Sequence, residues 1–189
     1  KDINSEIVNS ISSTGGKPIG IAGNVENLIE ATKLNIEVKD SDSNIEKIVD
    51  MGFVGKPINL KSEIILNHIK NGEIPVIAPL GTDKENFTYN INADTAAGFI
   101  AGKLKASKLL LLTDVSGILD NNKKLISSLS LNEAKKIMSE DFISGGMKPK
   151  IKTCIEAMEH GVKKSTILDG RIPHSVILEL FTEHGIGTQ

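Results

Sequence analysis

Two apolar runs constrain this chain more than any other feature: Ile74-Pro-Val-Ile-Ala-Pro-Leu80 and Leu109-Leu-Leu-Leu-Thr113. Neither alternates apolar with polar residues, so neither suits a strand that keeps one face in water. Such strands need cover on both faces, which is the situation of a parallel sheet packed between helices. The flanking segments supply the helices. From Leu60 to Lys70 the pattern reads as a helix stopped at Gly72, and a helix rich in Ala and Gly runs near Asp94 to Leu104. Further helices are expected over Leu131 to Met138, Pro149 to His160 and His174 to Phe181, with a strand over Ser165 to Leu168.

The first third of the chain is less regular. Ile3, Ile7, Val8 and Ile11 recur at helical spacing before Thr14-Gly15-Gly16, so an amphipathic helix ended by glycine is expected, followed by a strand over Ile19 to Ala22. Leu28 to Leu34 and Phe53-Val54 read as strand pieces, with an exposed polar loop from Lys39 to Asn44 between them. No repeat, low-complexity tract or linker divides the chain. It opens on Lys1-Asp2-Ile3 with a helix already under way and no initiator Met, which reads as a chain whose true beginning lies upstream.

Composition narrows the function. The 22 Lys and Arg against 24 Asp and Glu leave a net charge of −2, and there are five Phe, one Tyr and no Trp. A nucleic-acid binder would show a basic surface and more stacking aromatics, so no nucleic-acid partner is expected. No run approaches the ~18 apolar residues of a membrane span, so no membrane partner is expected either. Cys154 is the single cysteine, which rules out an intrachain disulfide and makes a cytoplasmic location the default. Within a helical pattern Cys154 reads as a buried structural thiol. The expected partner is a small molecule.

In open α/β sheets ligands bind beyond the carboxyl ends of the strands. The first apolar run leads through a polar loop to Tyr89-Asn-Ile-Asn-Ala-Asp94, and the second leads into Thr113-Asp-Val-Ser-Gly117. Asn90, Asn92 and Asp94 are either helix caps or ligand-binding groups. Thr113 to Gly117 is either a plain turn or one wall of a site. A third segment, Ser144-Gly-Gly-Met-Lys-Pro-Lys150, opens a helix. Glycines before a helix expose backbone N–H groups, and the helix N-terminus itself attracts anions. Lys148, Lys150 and Lys152 stand in the first turns, where the macrodipole disfavours cations unless an anion is bound. The alternative is a solvated basic helix start with Pro149 as initiator. The chain has no Walker-type loop and no metal-ligand spacing among its four His, so no protein-held metal is expected.

These segments occur in an order that carries a resemblance. Tyr89 to Ala97, Leu111 to Leu119, Gly145 to Lys150 and Phe181-Thr-Glu-His-Gly-Ile-Gly-Thr188, with Gly52-Phe-Val-Gly55 and Ile74 to Pro79, resemble the N-acetylglutamate kinases of the amino acid kinase family along practically the whole chain. The resemblance implies an α/β three-layer sandwich with a central, mainly parallel sheet, amino-terminally truncated. Residues 1–75 would be the remainder of an amino-terminal acetylglutamate-binding lobe and 76–189 the carboxy-terminal ATP-binding lobe, on one continuous sheet. It implies ATP-dependent phosphorylation of the γ-carboxylate of N-acetyl-L-glutamate, the second step of arginine biosynthesis, with Mg²⁺ accompanying the ATP and held mainly by its phosphates.

Residue by residue, the resemblance makes Asn90 the substrate-binding asparagine, Asp94 the aspartate that organises the catalytic lysines, and Lys150 the lysine that stabilises the transferring phosphoryl group. It makes Asp114, Val115, Ser116, Gly117, Ile118 and Leu119 one wall of the ATP site, with Phe142, Ile143 and Ser144 as the other. The closing segment, with His174, Glu183 and Gly185, is similar to the arginine effector site of the feedback-inhibited branch. A homo-oligomer is implied, a dimer or a hexamer of dimers. Several features depart from the pattern. The family's glycine-rich loop with a second lysine, its second Gly-Gly turn and its substrate-gripping arginine are not in this sequence. Position 148 is usually apolar and is Lys here, Asn24 stands where Lys is common, and His184 stands where an acidic residue is usual. Two other readings stay open: a sister kinase acting on carbamate, glutamate, aspartate or UMP, and a nucleotide-binding regulatory module that does not catalyse.

Overall fold

A computed structural model describes residues 2–39, 46–140, 142–143, 145–183 and 185–189. The chain divides into two compact units, 1–96 and 97–189. This division falls within a helix, beyond the position 75/76 at which the implied lobes would meet.

In the first unit, helix α1 (Asp2–Ser13) stops at the expected Thr14-Gly15-Gly16 turn and leads into β1 (Pro18–Ala22). Strand β2 (Ile29–Lys39) pairs antiparallel with β3 (Glu46–Leu60), and helix α2 (Ser62–Lys70) follows. Strand β4 (Ile74–Ala78) runs parallel to β1 in register from Pro18↔Ile74 to Ala22↔Ala78. Two short strands, β5 (Leu80–Thr82) and β6 (Thr88–Asn90), close a four-stranded barrel with β2 and β3.

Two sequence expectations change here. The run Ile74 to Leu80 is not one strand: it breaks at Pro79, so that β4 joins β1 and β5 joins the barrel. Proline has no N–H for a strand ladder, whereas its carbonyl remains available and accepts the Ile91 N–H at 2.8 Å. The strand pieces at 28–34 and 53–54 are parts of a much longer hairpin. Its register shifts between Lys33 and Asn35, and Met51 and Phe53 are exposed on it, so no steady period of two marks it in the sequence. Of the expected polar loop, Lys39 ends β2, and residues 40–44 lie outside the described residues.

Helix α3 (Ala93–Leu104) spans the division between the units. The second unit continues with β7 (Lys108–Thr113), α4 (Leu131–Ile137), α5 (Met147–Glu159), β8 (Lys164–Asp169) and α6 (Ser175–Phe181). Strands β7 and β8 are parallel, in register from Lys108↔Lys164 to Thr113↔Asp169. Leu109, Leu111, Ile118, Ile143, Ile151 and Ile167 are buried together in one apolar core. The glycines of α3 have a packing reason: a Cβ on Gly98 would lie 2.5 Å from the Thr153 methyl, and one on Gly102 would lie 2.9 Å from His160 Cβ. Helix α4 begins with a reciprocal cap, in which Ser130 and Glu133 satisfy one another's backbone N–H groups. Cys154, expected to be buried, is half-buried instead, because it faces an apolar pocket lined by Leu131, Ile151, Ile155 and Ile167. Among the described residues no helix is long and apolar enough to cross a membrane.

Candidate active site

The carboxyl ends of β7 and β8 are tied together by the Gly170 N–H, which donates to the Thr113 carbonyl at 2.8 Å. Beyond β7 the chain bends through Asp114, Val115 and Ser116, all exposed, and returns to the core at Gly117 and Ile118. Leu119 is exposed again and bridges to Leu125, while Ile126 N–H donates to the Ile118 carbonyl at 2.9 Å. The wall predicted from sequence thus has two kinds of residue: 114–116 and 119 face outward, and Ile118 anchors them. Its counterpart is built likewise. Ile143 is buried in the same core as Ile118 and Phe142 packs partly buried against it, whereas Ser144 lies outside the described residues.

The sequence reading missed the end of β8. Asp169, 6% exposed, accepts from Arg171 through Nε at 3.0 Å, Nη2 at 2.8 Å and the backbone N–H at 2.9 Å. These bonds hold the Asp169 carboxyl down to about 2 and raise Arg171, to which the charge of Asp114 adds a smaller share. A strand ending in Asp-Gly-Arg beside one ending in Thr-Asp was the available signal.

Helix α5 starts at Gly146, with Met147 and Ile151 turned into the core and Lys148 and Lys150 half-buried. Lys152 pairs with Glu156 at 3.8 Å. Added Cβ atoms on Gly145 and Gly146 would meet nothing within 4 Å, and neither glycine has a positive φ. Neither packing nor backbone conformation therefore requires glycine at these two positions. What remains is an open approach to the backbone N–H groups at the start of a helix that carries lysines, which suits a phosphate group.

In the first unit Asn90 is the last residue of β6, paired with Val54 and Leu80, and its side chain is exposed. Tyr89 before it is buried and donates its hydroxyl to Asp83 at 2.8 Å, which lowers the Asp83 carboxyl and raises the Tyr89 phenol. The helix cap is Asn92, whose Oδ1 accepts the Thr95 N–H at 3.1 Å. Asp94, in the first turn of α3, is not needed as the cap.

The closing segment turns about a residue that the sequence reading passed over. Glu179 is 3% exposed and accepts from Thr166 Oγ1 (3.1 Å), Ile186 N–H (2.9 Å), Gly187 N–H (3.3 Å) and Gln189 Nε2 (2.8 Å). Burial alone would raise its carboxyl, but these donors outweigh burial and lower it. Of the residues assigned to an effector site, Gly185 packs directly on the Glu179 carboxylate, Glu183 is exposed, and His174 precedes α6 in a left-handed conformation at φ 60° without a side-chain capping bond.

Parallel strands with acidic carboxyl ends, and an open Gly-Gly turn before a lysine-bearing helix, make up the candidate site of this α/β protein. The chain belongs to the amino acid kinase family, whose model matches residues 2–169, and it has that family's fold. It is 50% identical over 186 residues to the acetylglutamate kinase of Bradyrhizobium sp. (strain ORS 278), covering 98% of this chain and 62% of that relative. To the acetylglutamate kinase of Parvibaculum lavamentivorans it is 51% identical, with 98% and 61% covered. The chain thus spans about three-fifths of the length of the curated relatives it matches. Among solved structures it is similar to N-acetylglutamate synthase from Neisseria gonorrhoeae complexed with coenzyme A and L-arginine, at a TM-score of 0.74, 27% identity and coverage of 92% of this chain and 37% of that one. Carbamate kinase from Giardia lamblia bound to AMP-PNP shares the fold at a TM-score of 0.64 and 17% identity, with 98% and 69% covered.

Proposed function

We propose that this chain belongs to an enzyme that transfers the γ-phosphoryl group of ATP to the γ-carboxylate of N-acetyl-L-glutamate, yielding N-acetyl-L-glutamyl 5-phosphate and ADP in the second step of arginine biosynthesis in the cytoplasm. The observation that carries this reading is the Gly145-Gly146 turn, left open to the N-terminus of α5 and its lysines in a chain half identical to acetylglutamate kinases. A carboxylate is already a nucleophile and needs no general base. The protein's task is to hold two anions in line and to neutralise the charge that develops between them.

In this reading Lys150 compensates the transferring phosphoryl group, Asp94 orients the catalytic lysines and Asn90 holds the acetylglutamate. Asp114 to Leu119 and Phe142 to Ser144 line the nucleotide, so that residues 1–75 serve the acetylglutamate lobe and 76–189 the ATP lobe. Mg²⁺ accompanying the ATP would be held mainly by the nucleotide phosphates and would supply positive charge against them. Among the described residues no three His, Cys, Asp or Glu side chains gather as a metal site. Residues 1–189 by themselves are proposed to be inactive, because the family's glycine-rich loop and its lysine are not among them. Feedback inhibition by arginine at the closing segment and a homodimer or hexamer complete the reading.

The test is ADP release by the full-length gene product with N-acetylglutamate, carbamate, glutamate, aspartate and UMP as acceptors. Turnover confined to N-acetylglutamate is expected. Preference for another acceptor would assign a sister kinase, and ATP binding without turnover on any acceptor would assign a regulatory module.

A further inference from the structure

The sequence offers the closing Gly-Ile-Gly-Thr188 and the bend at Asp114 to Leu119 as separate motifs, yet they meet. Residues 187–189 run alongside β8, with Thr188 and Ile167 exchanging both backbone hydrogen bonds at 2.9 Å. On the other side Gln189 N–H donates to Ser127 O at 3.0 Å, and Leu129 N–H donates to Gln189 O at 2.8 Å. Glu179 fixes the start of this segment through the Ile186 and Gly187 N–H groups. The backbone of Thr188 is therefore immobilised on both sides. Its side chain is the free element, and its Oγ1 accepts the buried Ile118 N–H at 2.8 Å, 70 residues away in sequence.

Gly117 is shaped to the same contact. Its φ of +143° is one that L side chains rarely adopt, and a Cβ there would lie 2.6 Å from Thr188 Oγ1. Ile118 is 3% exposed, so without the threonine oxygen its N–H would be buried and unpaired. Within the bend itself Thr113 Oγ1 donates to Asp114 Oδ1 at 3.3 Å.

We infer that Thr188 is a positioning residue for the nucleotide-binding bend: its hydroxyl oxygen fixes the Ile118 backbone, and Ile118 fixes the exposed residues on either side. This rests on the proposed nucleotide site and goes beyond it, by assigning a role to a residue outside that site.

The test compares Thr188→Val, which keeps the shape and removes the acceptor, with Thr188→Ser, which keeps the acceptor, in the full-length gene product. Leaving a buried donor unpaired costs ~1–3 kcal/mol, so Thr188→Val should weaken Mg·ATP and Mg·ADP binding by calorimetry by roughly fivefold to 150-fold. Amide hydrogen exchange at Ile118 should rise similarly. The KM for N-acetylglutamate should stay within about twofold of wild type, and Thr188→Ser should restore nucleotide affinity. Unchanged nucleotide affinity in Thr188→Val would overturn the inference, and so would equal losses in the Val and Ser variants or parallel losses for both substrates. If Thr188→Val does not fold, Thr188→Ser still decides: a folded Ser variant with wild-type affinity and Ile118 protection supports the role, and one that loses both refutes it. Absence of turnover in the wild type would remove the kinase reading, while nucleotide affinity and Ile118 exchange would still decide the role of Thr188.

Discussion

The molecule contains two parallel strand pairs of unlike surroundings, and the more apolar pair, β1 with β4, is the less buried one. In β7–β8 five of the six residues of β8 are buried, whereas no residue of β1 or β4 is. Strand β8 has β7 on one edge and residues 187–189 on the other, and α5 packs against it. Strands β1 and β4 have only each other as strand neighbours among the described residues, with α1 packed against both and α2 against β4, and a groove lined by Ile19, Ile21, Leu28 and Ile64 runs along them. Apolar sequence therefore marks a strand's capacity for burial on both faces, and neighbouring chain decides whether that capacity is used. The well-buried pair is also the one whose carboxyl ends carry the tied Asp114 and Asp169 segments. Rigid anchoring and candidate chemistry coincide there.

The sharpest test of that coincidence is Lys150→Ala in the full-length gene product. Removing a preorganised positive charge from the transfer step should lower kcat by roughly a hundredfold or more while ATP still binds. Lys148→Ala, one position from the helix-start proline, should change kcat only several-fold; equal losses would break the assignment. Next in size is Asp94→Asn, on the other side of the division. Since Asn92 supplies the cap, a large fall in kcat with near-normal thermal unfolding is expected. A variant that simply melts would return Asp94 to a structural role.

Stability should divide in the same way. Glu179→Ala strips four donors of their acceptor and should cost on the order of 3 kcal/mol in urea unfolding. A variant as stable as wild type would show that the closing segment is held by its backbone pairing alone. Asp169 gives a smaller, pH-dependent effect. Its folded carboxyl titrates near about 2 against an ordinary 3.8, so its contribution is complete above pH ~4 and is lost as pH falls from there towards 2. Asp169→Asn should flatten that part of the acid-unfolding profile, and an unchanged profile would mean that Arg171 contributes nothing to the fold. At the small end, Lys33→Ala in the hairpin removes an exposed pair with Asp50 at 2.8 Å and should leave the urea midpoint where it is. A clear shift would make the first unit depend on surface charge in a way the second does not.

How much of this was legible depends on the range of the interactions involved. The sequence by itself determined the helices over 2–13, 62–70, 131–137 and 147–159, because apolar spacing, caps and glycine stops act within a turn or two. It also determined β7, whose continuous apolar run has few alternatives, together with the bend after it and a strand at 165–168, though not the Asp169–Arg171 end of β8. Only the tertiary structure decided that Pro79 hands the chain from one sheet to another, that 29–39 and 46–60 form one hairpin, and that Asn92 rather than Asp94 is the cap. It alone brought out Glu179, whose four donors come from positions 166 to 189, and joined Gly117 to Thr188. Apart from the Asn92 cap, a local choice between neighbouring cap-forming residues, the physical reason is separation along the chain. A hydrogen bond or a close approach between residues tens of positions apart leaves no periodicity in the chain, and it becomes visible only when folding brings donor and acceptor within 3 Å.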